Sequence, residues 1–294
     1  MLKALLKTMR PKQWVKNVFV VAALVFDEQL FDPGSLLNTV LAVIAFCLIS
    51  SAVYLVNDLV DIEKDRQHPT KRNRPLPSGR LSPRVALAVA VAIPLVVVPL
   101  AMVLSVPLGL IVGGYFALMM LYSFYLKHVV IIDVMTIAAG FVLRVAAGVV
   151  VIDVARFSPW LYVCMTLLAI FLGVGKRRHE LFTLGDDANS HRAILEDYSI
   201  ELIDQMSVVV TSAVIVAYSL YTFSAQNLPK LDGQPLMMLT IPFVLYAIFR
   251  YQYLIHVKKE GGTPEDIVLG DIPFIVDLGL YGVCVLILMY VVQT

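Results

Sequence analysis

Residues 37–65 read LNTVLAVIAFCLISSAVYLVNDLVDIEKD. No charge appears before Asp58, and the apolar run is as long as the ~20 residues a helix needs to cross a bilayer. The stretch then turns acidic. Asp58, Asp61 and Asp65 are spaced i, i+3, i+7, so a helix places all three carboxylates on one face. Asn57 lies four residues before Asp61 and can join them. Three acids on one stripe repel each other unless a cation sits among them. Hard oxygen ligands with gaps for water and phosphate suit Mg²⁺. At a membrane boundary, Asn57, Asp58, Asp61 and Asp65 therefore read as metal ligands that hold a diphosphate through Mg²⁺, with the three aspartates as the catalytic acids. The competing reading is a solvated helix end.

The rest of the chain is built on the same plan. Of its 294 residues, 59% are hydrophobic and 15% charged. Soluble domains carry about 45–50% apolar and about 25% charged residues, so a soluble fold is excluded. Nine stretches are long and apolar enough to span, roughly 14–31, 37–60, 85–105, 107–125, 129–152, 159–176, 201–224, 236–256 and 271–292. Several contain proline, such as Pro94 and Pro99, which helices packed in a bundle tolerate. The expectation is an all-α polytopic membrane protein with nine transmembrane helices, residues 1–294 forming a single transmembrane domain. The start, Met1 to Lys16, is basic but leads into the first span without a small-residue cleavage pattern.

Charge predicts orientation. Of the 23 lysines and arginines, all but Arg144, Arg156 and Lys230 fall on one side of the expected spans. The positive-inside rule then puts the N-terminus in the cytoplasm and the C-terminus outside, in the plasma membrane, with the charged loops and the site facing the cytoplasm. Cys47, Cys164 and Cys284 all lie in apolar spans without a CxxC, so neither zinc nor a disulfide is indicated. His68, His128, His179, His191 and His256 form no HxxxH pair and read as surface or phosphate-contacting groups. No nucleic-acid partner is expected. The bilayer itself is a partner, and the apolar outer faces leave room for homo-oligomer contacts.

Four polar clusters border the spans. After the acidic stripe comes HPTKRNRPLPSG, 68–79, whose prolines limit flexibility and whose Arg72 and Arg74 can grip phosphate oxygens beside the acids. A basic loop could instead touch anionic lipid heads. Tyr122, Tyr125 and Lys127 close the fourth span, either as interface anchors or as contacts to a bound phosphate. Lys176, Arg177 and Glu180 close the sixth, with His191 and Arg192 downstream, either as a topology signal or as substrate-binding groups. Arg10-Pro11-Lys12-Gln13-Trp14-Val15-Lys16-Asn17 opens the chain. There Lys16 and Asn17 lie inside the first span, where a lysine is costly unless it faces a polar cavity. Arg144, midway along the fifth span, needs an interhelical partner or an anionic ligand for the same reason.

These motifs resemble the UbiA-type intramembrane prenyltransferase superfamily: Asn57-Asp58-x-x-Asp61-x-x-x-Asp65, the trailing Lys71-Arg72-Asn73-Arg74-Pro75-Leu76-Pro77-Ser78-Gly79, and the many spans with charged loops. The resemblance covers essentially the whole chain. It implies helices around a central cavity and Mg²⁺-assisted loss of diphosphate from a donor. One motif departs from it. Where prenyltransferases carry a second acidic DxxxD, this chain has Lys176-Arg177-Arg178-His179-Glu180. With the N-terminal segment and Tyr122-Ser123-x-x-Leu126-Lys127, this is similar to the decaprenyl-phosphate phosphoribosyltransferase branch. That branch implies phosphoribosyl diphosphate as donor, a polyprenyl phosphate as acceptor, and a lipid-linked precursor of cell-wall arabinose as product. Two other readings are kept. One is prenyl transfer from a prenyl diphosphate to an aromatic or other acceptor, against which the missing DxxxD counts. The other is a transporter or lipid flippase, against which the aspartate cluster counts.

Overall fold

The computed structural model describes residues 1–69, 71–152, 154, 158–184, 194, 197–225, 228–258, 267 and 270–292. It divides into two compact units. The first comprises Met1–Leu24, Gln29–Thr136 and Leu143–Val154; the second comprises Val25–Glu28, Ile137–Val142 and Ala155–Thr294. Helices dominate both, because apolar chain in a bilayer must satisfy its own N–H and C=O groups.

In the first unit, α1 (Leu2–Met9) is followed by a 3-10 stretch (Pro11–Val21) and α2 (Ala22–Phe26). Helix α3 (Pro33–Val60) is capped by Asp32, whose Oδ2 accepts the Ser35 N–H at 2.7 Å. Its 28 residues span about 42 Å at 1.5 Å each, against ~30 Å of hydrocarbon. The excess length carries its polar end out to the interface. A short α4 (Ile62–Gln67) continues it. Then come α5 (Pro83–Leu104), α6 (Val106–Phe124) and α7 (Ile132–Val151), of which Ile137–Val142 are counted in the second unit, as are Val25 and Phe26 of α2. Leu95 and Val103 on α5 are 70% and 85% exposed, an outward apolar face of the kind that lipid covers.

The second unit contains α8 (Pro159–Leu184), α9 (Ile200–Ser224), α10 (Ile241–His256) and α11 (Ile272–Ile287). A two-stranded hairpin, Lys230–Leu231 with Gln234–Pro235, links α9 to the turn before α10. Its corner residues, Asp232 and Gly233, both have positive φ, as a type I′ hairpin turn requires. Asp271 caps α11 through the Phe274 N–H at 2.9 Å and grips Arg250 at 2.8 and 3.1 Å. The Arg250 bonds hold its carboxyl below the ordinary carboxylate range.

Among the described residues, eight helices are long and apolar enough to cross a membrane: Pro33–Val60, Pro83–Leu104, Val106–Phe124, Ile132–Val151, Pro159–Phe182, Ile200–Ser224, Leu236–His256 and Ile272–Val292. The protein is a multi-pass membrane protein, but the expected first span, 14–31, is not a regular helix of that length. Residues Pro11–Val21 wind as a 3-10 helix instead, a form seldom kept up beyond 3–4 residues. Packing explains it. A Cβ at Gly148 of α7 would lie 2.1 Å from the Val20 carbonyl oxygen, so backbone presses on backbone there and Val20 is fully buried. Gly148→Ala is expected to destabilise the unit by about 1–3 kcal/mol, as overpacking does, and to free the 3-10 stretch. Thermal unfolding in detergent, with protease cleavage near residues 11–21, measures it. An unchanged midpoint and cleavage pattern would refute this account of the stretch.

Candidate active site

The acidic stripe survives the end of α3. Helix geometry breaks at Asp61 (φ −94°, ψ 9°), yet the Asp61 N–H still reaches the Asn57 carbonyl at 3.0 Å and the Asp65 N–H reaches Asp61 at 2.8 Å. The i, i+3, i+7 spacing is therefore kept across the joint. Three bases from three other segments meet the three acids. Arg10 Nη2 donates to Asp58 Oδ1 at 2.5 Å. Arg74 Nη1 donates to Asp65 Oδ2 at 2.7 Å and to Asp58 Oδ1 at 3.3 Å. Lys127 Nζ lies 3.0 and 3.2 Å from the two oxygens of Asp61.

Local structure delivers each base. Leu76 and Leu81 are buried in a cluster with Met9, Leu55, Ala86 and Ala90, which clamps the loop after α4 against α3 and α5. Within that loop the Arg74 N–H reaches Lys71 at 2.9 Å, the Leu81 N–H reaches Pro75 at 3.0 Å, and Gly79 turns the chain at φ +77°. Arg74 is thereby held over the acids. Arg10 sits in the left-handed region (φ 54°, ψ 63°) where α1 ends, a conformation that costs a non-glycine residue about 1–2 kcal/mol. Buried Ser51 of α3 ties down both arms of that turn. Its Oγ shares its one proton between the Cys47 carbonyl at 2.7 Å and the Met9 carbonyl at 3.1 Å, and accepts the Trp14 Nε1–H at 3.1 Å. The Arg10 guanidinium also lies 4.7 Å from the Tyr54 ring centroid. Lys127 stands on the 3-10 turn Leu126–His128 just after α6.

Not every expected site residue joins this cluster. Arg72 is exposed and takes no part in these pairs. Tyr125 is 70% exposed, as an interface anchor would be. Tyr122 and Lys16 are half-buried. Asn57 is half-buried too, and its carbonyl serves the helix joint. Deeper in the first unit, Arg144 is buried, donating from Nε to Asn17 Oδ1 at 2.8 Å and from Nη2 to the Tyr115 hydroxyl at 2.9 Å. Its guanidinium lies 4.8 Å from the Tyr115 ring centroid. The interhelical partners that a mid-span arginine demands are thus present. In the second unit, Lys176, Arg177 and Glu180 lie on α8 itself, which runs past the expected end of its span. Arg177 is buried and paired with Glu180, while Arg178 binds Asp204 at 2.7 Å. His191 and Arg192 lie outside the described residues.

Two contributors were not singled out from the sequence. Arg10 lies in the basic start of the chain, where charge also signals topology. Tyr115 carried no signal at all, a tyrosine in an apolar span.

Among the described residues no three of His, Cys, Asp and Glu are gathered as a metal cage. The donor set still fits Mg²⁺. It is all hard oxygen, and Mg²⁺ keeps several waters and takes one or two carboxylates plus substrate phosphate rather than a closed protein cage. Asp58, Asp61 and Asp65, with Asn57 beside them, are the residues that could hold it.

A decaprenyl-phosphate phosphoribosyltransferase of Corynebacterium glutamicum is 33% identical over 271 residues, 91% of this chain and 81% of that protein. Another, of Mycolicibacterium smegmatis, is 30% identical over 97% of this chain and 93% of its own length. The structure of a UbiA homolog from Archaeoglobus fulgidus bound to DMAPP and Mg2+ matches with a TM-score of 0.74, covering 98% of this chain and 99% of that one, at 18% identity. At that identity the likeness is one of fold. The model of the UbiA prenyltransferase family matches residues 17–264, a range that takes in both the acidic stripe and the basic end of α8, and the chain belongs to that family.

Proposed function

We propose that the protein transfers the 5-phosphoribosyl group of phosphoribosyl diphosphate to a polyprenyl phosphate of decaprenyl type, with release of diphosphate and dependence on Mg²⁺. The observation that carries this reading is the similarity, along nearly the whole chain, to relatives named for that reaction. The residues are consistent with it. A prenyl diphosphate offers one diphosphate and an apolar tail. The ribosyl donor and the lipid phosphate together offer two further phosphates, and this chain has bases where prenyltransferases have a second acidic motif.

Asp58, Asp61 and Asp65 would hold the metal. When bound, Mg²⁺ would neutralise the leaving diphosphate and orient it. Arg10, Arg74 and Lys127 stand beside those acids and would take diphosphate oxygens by charge-assisted hydrogen bonds. The acceptor is already an anion, so the reaction needs no strong general base. Positioning and charge stabilisation then supply the catalysis. From the distribution of bases we also place the N-terminus and the site on the cytoplasmic face of the plasma membrane and the C-terminus outside. The product, a polyprenyl-phosphoryl 5-phosphoribose, would serve as a lipid-linked precursor of cell-wall arabinose.

The test is a substrate matrix. Purified protein should release inorganic diphosphate when given phosphoribosyl diphosphate together with polyprenyl phosphate, and the lipid product should carry ribose phosphate. Diphosphate appearing from a prenyl diphosphate and an aromatic acceptor, and not from the ribosyl donor, would replace this reading by prenyl transfer.

A further inference from the structure

At two of the three acids the accessibility of the acid–base cluster is inverted; at the third, Asp61 is 34% exposed and its Lys127 only 12%. The carboxylates of Asp58 and Asp65 are 3% and 6% exposed, whereas the guanidinium side chains over them, Arg10 and Arg74, are 29% and 33% exposed. Arg10 and Arg74 roof Asp58 and Asp65. A cation arriving from water meets Arg10 and Arg74 first, and reaches Asp58 only if they give way. The formal charges also cancel: Asp58, Asp61 and Asp65 against Arg10, Arg74 and Lys127. A bare divalent ion entering beside the buried Asp58 and Asp65 would leave the cluster with two excess positive charges. The same ion carrying a diphosphate brings enough negative charge to receive the displaced bases.

We propose that Arg10 is a donor-binding base parked on Asp58 in the donor-free protein, and that metal and diphosphate therefore bind as a coupled pair rather than one after the other. This rests on the reading of the acidic stripe as the metal–diphosphate site and adds the residue that gates it. Arg10 is suited to exchange between two anions. Its backbone is pinned through Ser51, but its side chain leans on the face of Tyr54 and is nearly a third exposed. A guanidinium binds carboxylate and phosphate with the same planar fork, so little is lost in the swap.

Equilibrium dialysis of the detergent-purified full chain tests this, using Mn²⁺ as the free ion and as its preformed complex with inorganic diphosphate. Wild type should take up the complex about tenfold or more tightly than the bare ion, within the usual range of coupling between two ligands. In Arg10→Gly the bare ion should bind more tightly and the complex more weakly, so that the ratio collapses. Glycine adopts the left-handed backbone of position 10 readily, so the turn is kept. The wild-type ratio stands by itself should that variant not fold. Bare Mn²⁺ binding wild type as tightly as the complex overturns the coupling and leaves the metal site standing. Both affinities moving in the same direction in Arg10→Gly, or neither moving, overturns the role of Arg10. Neither form binding wild type overturns the coupling and the metal site together.

Discussion

Asp58→Asn should lower turnover about a thousandfold, and EDTA should abolish activity that Mg²⁺ then restores. Loss of a metal's charge stabilisation is worth several kcal/mol, and each 1.36 kcal/mol is about tenfold in rate. The amide keeps the size of the side chain and can still accept the Arg10 bond at Oδ1, so the packing at the end of α3 is preserved. What it lacks is the negative charge that Asp58 shares with Asp65 and Asp61. The measurement is single-turnover release of diphosphate, with circular dichroism to show that the helical bundle is intact. Full activity in the variant, or in the presence of EDTA, would end the metal hypothesis.

Arg74→Ala should weaken binding of the diphosphate donor roughly tenfold or more, since a hydrogen bond to a charged group contributes about 1.5–3 kcal/mol. It should also destabilise the first unit. Arg74 bridges Asp58 and Asp65, two nearly buried carboxylates that would otherwise face each other with Arg10 alone. Removing one partner of a buried pair costs about 3–5 kcal/mol, a figure to be scaled down here because the Arg74 side chain is a third exposed. Arg74→Lys should recover part of the stability, since an ammonium can also bridge two carboxylates, and less of the binding, because it lacks the planar fork that takes two oxygens of one phosphate group. Donor titration by calorimetry separates the two effects. Unchanged donor affinity in Arg74→Ala would assign the loop to lipid head groups instead.

The membrane architecture was legible from local composition. Each of the eight spanning helices lies within a few residues of an apolar run, because hydrocarbon demands about 20 apolar residues with internally satisfied backbone whatever their neighbours are. The first run is the exception, for a tertiary reason. Residues 14–31 are apolar enough, but the contact of Val20 with Gly148 and the tie from Trp14 to Ser51 bend the chain into a 3-10 stretch. The sixth apolar run also ends before its helix does. The bases at 176–178 read as the stop of a span, whereas Arg177 and Arg178 find acids at Glu180 and Asp204 and the helix continues.

The sequence by itself determined the acidic stripe, since i, i+3, i+7 spacing is a property of one helix, and it determined that bases would lie near it. Only the tertiary structure decided which base meets which acid. Arg10 and Asp58 are 48 residues apart, Lys127 and Asp61 are 66 apart, and Arg144 and Asn17 are 127 apart. No periodicity relates such positions. Their pairing depends on how α1, α3, α6 and α7 pack, and on glycine, serine and leucine contacts that carry no charge signal. The polarity of each segment is written locally, but the neutral cluster of three acids and three bases exists only once the helices have met.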